Sequence, residues 1–433
     1  MPVSIPTLIY ITDEFPLGMH DFAYDELPFL QKKDWRIIIM PTNRPLIAAN
    51  PVSVDATVDA SLLSRDRCAR FVDRFSFSAW TLLTRELVGK DKACDPVLYR
   101  NLSGATAHAA HAYSVLRRVL QEQVPPRSPV VIYSYWFLDM ISGIALLRKE
   151  FPQIKIVTRA HGGDLYPERK PGGYMPFRRQ RLQAVDAVFP CSKNGADLLR
   201  REGLSPEKIR VSYLGVPGIE GCSPPSSEGC LSLVSNCRIT PVKRMPLLVD
   251  SLCALADARP LLRIEWNHLG GGDFFAEFAQ YVKQKAASRP NMRYTLHGTQ
   301  TVETCRSFMD EHPVDGFINV SESEGIPVSM MEALAVGVPI IGTNVGGVSE
   351  IVTPETGILL DKEFGPIDFI KAADRLFEWK NAEKRGAIKD FFTATFEQDS
   401  NYVRFVNELL WPQIAASADF LRQTAGICDV GRT

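Results

Sequence analysis

Two glutamates frame the run Glu324-Gly325-Ile326-Pro327-Val328-Ser329-Met330-Met331-Glu332. Pro327 has no backbone N–H and a fixed φ, so it suits the first turn of a helix that continues through Glu332 and Leu334 to Gly337. Glu324 then sits in the loop ahead of the helix, and Glu332 lies more than a turn inside it. The N–H groups of Gly325, Ile326 and Val328 face whatever lies beyond the helix start, an end that attracts phosphate. A phosphate with a carboxylate on either side suits a nucleotide sugar, whose anionic linker separates two hydroxyl-rich rings.

Upstream, Leu231-Ser232-Leu233-Val234-Ser235-Asn236 reads as a short buried strand, and an apolar helix is predicted from Pro246 to Leu255. Arg238 and Lys243 fall on the loop between them, at the carboxyl end of a strand, where open α/β sheets bind ligands. Arg offers a planar fork of donors and Lys a compact point charge, which together can neutralise a leaving nucleoside diphosphate without a metal. In the first half of the chain, Arg159-Ala160-His161-Gly162-Gly163-Asp164 follows another strand. Gly162 and Gly163 let the backbone pass close to a ligand, and His161 is placed to reach it. Asp164 has three readings: it holds His161 in one tautomer, binds a sugar hydroxyl, or caps the turn before Leu165.

These residues need a scaffold that presents loops at strand ends. Apolar runs at Thr7–Ile11, Arg36–Met40, Val130–Tyr133, Ile154–Val157, Val185–Pro190 and Ile209–Tyr213 alternate with helical spacing over 107–121, 140–150 and 194–202. A second series of strands is predicted at 231–236, 262–266, 292–296, 316–320 and 338–341. Alternation of this kind gives a parallel sheet with helices on both faces. A chain of 433 residues exceeds what one core usually supports. The expected α/β architecture is therefore two doubly wound, Rossmann-like domains facing a central cleft. The first spans 1–217 and carries the acceptor. Turn-rich residues 218–229 form a linker, 230–401 bind the nucleotide sugar, and 402–433 form a C-terminal helical segment.

Composition narrows the function further. A formal net charge of −1 argues against a nucleic-acid binder. Nine cysteines, with no Cys-x-x-Cys pair and no Cys/His cluster at zinc spacing, fit reduced thiols in the cytoplasm. Neither a signal peptide nor an apolar run of membrane-spanning length is evident. Arg159, Arg169, Lys170, Arg178, Arg179 and Arg181, interleaved with Tyr166, Tyr174, Met175 and Phe177, form either a solvated face or a docking surface. The second reading would place the protein peripherally on the cytoplasmic membrane face, against anionic headgroups or a lipid-linked acceptor.

The Arg238 to Lys243 spacing, the Glu324 to Glu332 spacing, and Gly346-Gly347 followed by Glu350 resemble the retaining nucleotide-sugar glycosyltransferases of family 4, with the GT-B fold. The resemblance is strong over about residues 228 to 360. It implies that Arg238 and Lys243 hold the diphosphate, Glu324 contacts the donor sugar and Glu332 takes the ribose hydroxyls. It further places His161 near the anomeric carbon, the nucleobase at His297 and Gly298, and a last helix, Tyr402 to Trp411, back on the first domain. Many members carry two adjacent glycines after the first strand, where this chain has Gly18 alone; Glu350 is expected to be structural. The implied function is metal-independent glycosyl (hexosyl) transfer from a UDP or GDP sugar to a carbohydrate or lipid-linked acceptor. Retention of configuration rests on the resemblance. The Phe15-Pro16-Leu17-Gly18 opening and the run through Trp266 and Gly270 are similar to capsule and exopolysaccharide enzymes, which points to bacterial surface-polysaccharide assembly. The alternatives are a nucleotide-sugar 2-epimerase of the same fold and a non-catalytic nucleotide-sugar binder.

Overall fold

Unbroken apolar runs such as Leu8-Ile9-Tyr10-Ile11 mark strands covered on both faces, because successive side chains point to opposite sides of a sheet. The computed structural model, which describes residues 5–14, 23–43, 57–58, 76–87 and 96–430, uses them in that way. The chain divides into two compact units. One comprises Met1–Cys191, Gly195–Ser212 and Tyr402–Thr433, and the other Ser192–Asn194 and Tyr213–Asn401.

The first unit holds β1 (Thr7–Glu14), β2 (Arg36–Asn43), β3 (Thr57–Val58), β4 (Val130–Ser134), β5 (Lys155–Ala160) and β6 (Ala187–Pro190), in the parallel order β3-β2-β1-β4-β5-β6. Ile9, Ile11, Ile132 and Ile156 pack on one side with Leu116 and Ile141. Leu8, Tyr10, Val131, Tyr133 and Val157 pack on the other with Tyr402, Phe405 and Leu410 of the C-terminal segment. Ser417 extends this docking: its hydroxyl donates to the Gln153 carbonyl (2.7 Å) and accepts from the β4 amide of Val130 (3.0 Å).

The second unit holds β7 (Cys230–Asn236), β8 (Arg263–Leu269), β9 (Met292–Leu296), β10 (Gly316–Asn319), β11 (Ile340–Thr343) and β12 (Gly357–Leu360), all parallel and ordered β12-β11-β10-β7-β8-β9. Chain order reverses between β10 and β7, so the loops leaving those two strands diverge around a crevice. This is the topological switch point where such sheets bind ligands.

Two expectations are revised. Ile209–Tyr213 is not a strand of the sheet; it contributes a single bridge, Ile209 to Val188, because Pro206–Lys208 forms a turn of 3-10 helix just before it. Pro327 is the N-cap rather than the first helical residue: its ψ of 116° is extended, and the helix runs Val328–Ala335. It ends as expected near Gly337, whose φ of +70° suits glycine.

Candidate functional site

Arg238 and Lys243 leave the end of β7, and Glu324 leaves the end of β10, so the switch point of the second unit gathers three of the four residues whose spacing first marked the chain. The Lys243 ammonium lies 2.5 Å from Glu324 Oε1, and the Asn319 side-chain amide donates to the same oxygen at 3.3 Å. Glu324 is 6% exposed, so its charge has little water to stabilise it and depends on these partners. Arg238 is exposed, and among the described residues its guanidinium meets no acceptor. One cation is thus held in place while the other is uncommitted.

The helix Val328–Ala335 follows Glu324 closely in the chain, and its N-cap, Pro327, makes no side-chain cap. Glu332, one turn in and 5% exposed, accepts from Arg306 Nε at 3.1 Å. Gly325, Ile326 and Pro327 are buried in the approach to the helix. Gly347 fixes that approach from behind: its amide donates to the Gly325 carbonyl (2.9 Å), and a Cβ there would lie 2.4 Å from the same oxygen. Glu350, in the following turn, accepts from the amides of Lys193 (2.8 Å) and Asn194 (2.9 Å) and from the Tyr213 hydroxyl (2.8 Å). Its role in the structure is to hold backbone.

Three residues that the spacing did not single out complete the geometry. Asn319 orients Glu324, and Arg306 pairs with Glu332. Arg244, in the left-handed region at φ +48°, donates to the carbonyls of Val320 (2.7 Å) and Lys362 (2.8 Å) and so ties the β7 loop to the β10 loop. Arg244 adjoins Lys243 in a basic pair, but nothing in its sequence neighbourhood signals the positive φ. The glycines after β8 serve contact between loops. A Cβ at Gly270, where φ is +140°, would meet the Cys237 carbonyl oxygen at 1.9 Å, and the Ile239 amide donates to the Gly271 carbonyl at 2.8 Å. They let the Arg238 loop lie directly on the end of β8.

His297 and Gly298 follow β9. The His297 ring nitrogen Nε2 lies 3.0 Å from Asn267 Oδ1, and the ring packs edge-on against Phe308; burial lowers its pKa. The Gly298 carbonyl accepts from Gly270. His268 is fully buried, 2.9 Å from the Ser235 hydroxyl, with its pKa lowered by burial to about 4, and belongs to the core.

In the first unit, β5 delivers His161 to the start of a short helix, Gly162–Leu165. Its ring stacks on Tyr135 and tilts against Trp136, with Nε2 3.1 Å from the Tyr135 carbonyl oxygen. That oxygen can only accept, so the ring proton sits on Nε2 and the lone pair on Nδ1. Burial, with the Arg159 charge nearby, lowers the pKa to about 3, and the ring is neutral near pH 7. Of the three readings of Asp164, the structure shows the cap. Its two oxygens accept from the amides of His161 and Phe137, each at 2.6 Å, while burial raises its pKa to about 6. Gly162 is buried, and a Cβ at Gly163 would meet open space. Gly18 lies outside the described residues.

The basic stretch is not one continuous surface. Arg181 is 3% exposed and donates to the Phe137 carbonyl. Arg178 pairs with Glu202 and also donates to the carbonyls of Asp164 and Leu165. Arg159, just upstream, is fully buried against Glu26, whose other oxygen accepts from Tyr133 at 2.7 Å. Membrane docking through Arg169 to Arg181 is therefore unsupported: Arg178 and Arg181 turn inward, Arg178 onto Glu202 and two carbonyls and Arg181 onto the Phe137 carbonyl. Among the described residues, no helix is long and apolar enough to cross a membrane, and no group of acidic, His and Cys side chains is arranged to hold a metal ion.

Residues 231–378 match the family model "Glycosyl transferases group 1", and residues 83–217 match "Glycosyltransferase Family 4". The putative colanic acid biosynthesis glycosyltransferase WcaL of Escherichia coli is 26% identical over 204 residues, 46% of this chain and 49% of that protein. The lipopolysaccharide core biosynthesis mannosyltransferase LpsB of Rhizobium meliloti is 29% identical over 133 residues, 28% of this chain and 35% of LpsB. The chain thus spans about half the length of WcaL and less of LpsB. The solved structure of the lipopolysaccharide outer core galactosyltransferase WaaB superposes with a TM-score of 0.64 at 14% identity, covering 94% of this chain and 99% of WaaB. The chain thus carries two segments that match glycosyltransferase domain families, 83–217 and 231–378, on a GT-B fold built from two parallel-sheet units.

Proposed function

We propose that the chain transfers a sugar from a nucleoside diphosphate to an acceptor hydroxyl in bacterial surface-polysaccharide assembly, with retention of configuration and without a metal. The observation that carries this reading is the Lys243–Glu324 contact just ahead of a helix whose N-cap, Pro327, makes no side-chain cap, with an uncommitted Arg238 on the same loop as Lys243. Cleavage of the anomeric C–O bond moves negative charge onto the departing diphosphate. Arg238, Lys243 and the first-turn amides of Val328–Ala335 would stabilise that charge as it forms. Glu324 would contact the donor sugar and hold Lys243 until the diphosphate arrives; Glu332, steadied by Arg306, would accept from the ribose hydroxyls. Neutral His161 would sit near the anomeric carbon as a hydrogen-bonding group rather than a cation. The departing diphosphate itself would take the acceptor's proton.

The relatives named for colanic acid and lipopolysaccharide core synthesis favour a surface-polysaccharide role. The test is calorimetric titration with UDP, GDP, ADP and dTDP in the presence of EDTA, followed by product analysis with the matching sugar nucleotides. Saturable binding of one nucleotide that is lost in Lys243→Ala, and consumption of its sugar conjugate only when acceptor is present, are the expected results. Isomerisation of the donor without any acceptor would replace transfer with epimerisation.

A further inference from the structure

The first unit contains a cavity of about 1130 Å³ between the helices Phe77–Leu87 and Arg178–Ala184. Its walls carry both signs of charge, but their partners differ. Glu86, 5% exposed, accepts from the Tyr174 hydroxyl at 2.8 Å and from the Gln180 amide at 3.3 Å. Glu202 is paired with Arg178 at 2.8 Å. The acidic groups are therefore satisfied within the wall. Arg85 and Arg179, also lining the cavity, are exposed and meet no acceptor among the described residues. What the cavity leaves unfilled is donors and positive charge, so its ligand must bring acceptors and negative charge. The volume lies at the upper end for ligand clefts, which suits a ligand of several rings better than a lone ion. The half-buried Tyr174 and Gln180, both hydrogen-bonded to the buried Glu86, give one wall a fixed polar character that suits hydroxyl-bearing rings.

We infer that this cavity binds an anionic saccharide, a segment of the acceptor bearing a sugar acid or a sugar phosphate. Naming the ligand as acceptor rests on the proposed transfer reaction; the site itself does not. Arg178 joins the cavity wall to the carbonyls of Asp164 and Leu165, both at 3.2 Å, so an occupant is held by the helix that also braces the His161 turn.

The test is calorimetry on the full chain with a glucuronic acid-terminated disaccharide, glucose 6-phosphate, cellobiose and inorganic phosphate. Tighter binding of one or both anionic sugars than of cellobiose and phosphate is expected, and which one binds identifies the source of the charge. Arg85→Ala/Arg179→Ala should weaken that binding about tenfold or more, and Gln183→Glu, an exposed change on the same wall, should weaken it with an unchanged melting temperature. Cellobiose or phosphate binding equally well, no saccharide binding, or binding unaffected by the arginine double variant would each overturn the inference. UDP and GDP titrations run alongside separate the two readings. Loss of nucleotide binding alone defeats the donor assignment, and loss of saccharide binding alone defeats this one.

Discussion

Removing the Lys243 ammonium should have two separable consequences, because the group is both a partner of Glu324 and a candidate ligand for the diphosphate. Glu324 is 6% exposed and has Lys243 at 2.5 Å and Asn319 at 3.3 Å. Breaking a buried pair from one side costs about 3–5 kcal/mol. Lys243 is one-fifth exposed and Asn319 remains, so the cost of Lys243→Ala should be smaller, about 1–3 kcal/mol. Adding Glu324→Gln removes the stranded charge and should restore most of that stability. Turnover should not follow: without Lys243 the leaving diphosphate loses a cation, and kcat should fall about 10²–10³-fold in both the single and the double variant. Urea unfolding of the wild type, Lys243→Ala, Glu324→Gln and the double variant gives the coupling energy, and donor consumption gives the rates. Additive stability changes would show that the ion pair is not a coupled unit, and a Lys243→Ala enzyme within threefold of wild-type turnover would refute the diphosphate assignment.

Three further outcomes test the surrounding structure. His161 has a pKa lowered from 6.5 to about 3, so the unfolded chain binds more protons than the folded one between those values; stability is full above pH 6.5 and is lost as pH falls through that window. His161→Gln should flatten that limb of the melting-temperature profile, and an unchanged acid limb would contradict a buried neutral ring. Gly347→Ala places a Cβ 2.4 Å from the Gly325 carbonyl and 2.8 Å from Ser192, so it should destabilise by about 1–3 kcal/mol and weaken nucleotide binding by about tenfold; wild-type affinity in calorimetry would show that the helix approach tolerates the shift. Arg306→Ala removes the Arg306 contact from Glu332 and should raise the nucleotide Kd about tenfold, with partial recovery in Arg306→Lys. Equal Kd values for all three proteins would remove Glu332 from the ribose site.

The central strands were legible because they are nearly continuous apolar runs, β8 and β9 because apolar and polar residues alternate along them, and the candidate donor residues because they sit at predicted strand ends; β3 and β12 at the sheet edges were not read. Arg238, Lys243 and Glu324 come together at the reversal between β7 and β10, a reversal that linear spacing does not encode. Pairings across long separations were hidden for the same reason: Arg306 with Glu332, and Arg244 with the Val320 carbonyl, depend on the register of whole βα units. The glycines after β8 were visible as glycines, yet their need arises from the Cys237 carbonyl of a different loop. Arg159 and Arg181 misled most. A basic run looks exposed in sequence, and only the packing of Tyr133, Phe137 and Glu26 turns these two inward.

This contrast gives a physical criterion for separating working charges from structural ones in this chain. Arg385, 2% exposed, donates to the carbonyls of Trp379, Ser223 and Val314, and Asp315 beside it accepts from the Ser226 and Ser232 amides. Arg159 is likewise enclosed by Glu26, Ser212 and the Phe405 ring. Every valence of such a group that the protein fills is one that no ligand can use, and displacing its partner would leave a buried charge unpaired. Arg238, Arg85 and Arg179 invert the pattern, being charged, exposed and without a partner among the described residues. Lys243 stands between the extremes. Among the described residues its close partner is the Glu324 carboxylate, so an arriving diphosphate must share or replace that contact. Glu324 therefore acts as a competitor for the cation as well as its support: Glu324→Gln should tighten UDP or GDP binding even as it slows transfer, and calorimetry showing weaker binding instead would mean that the carboxylate orients Lys243 more than it neutralises it.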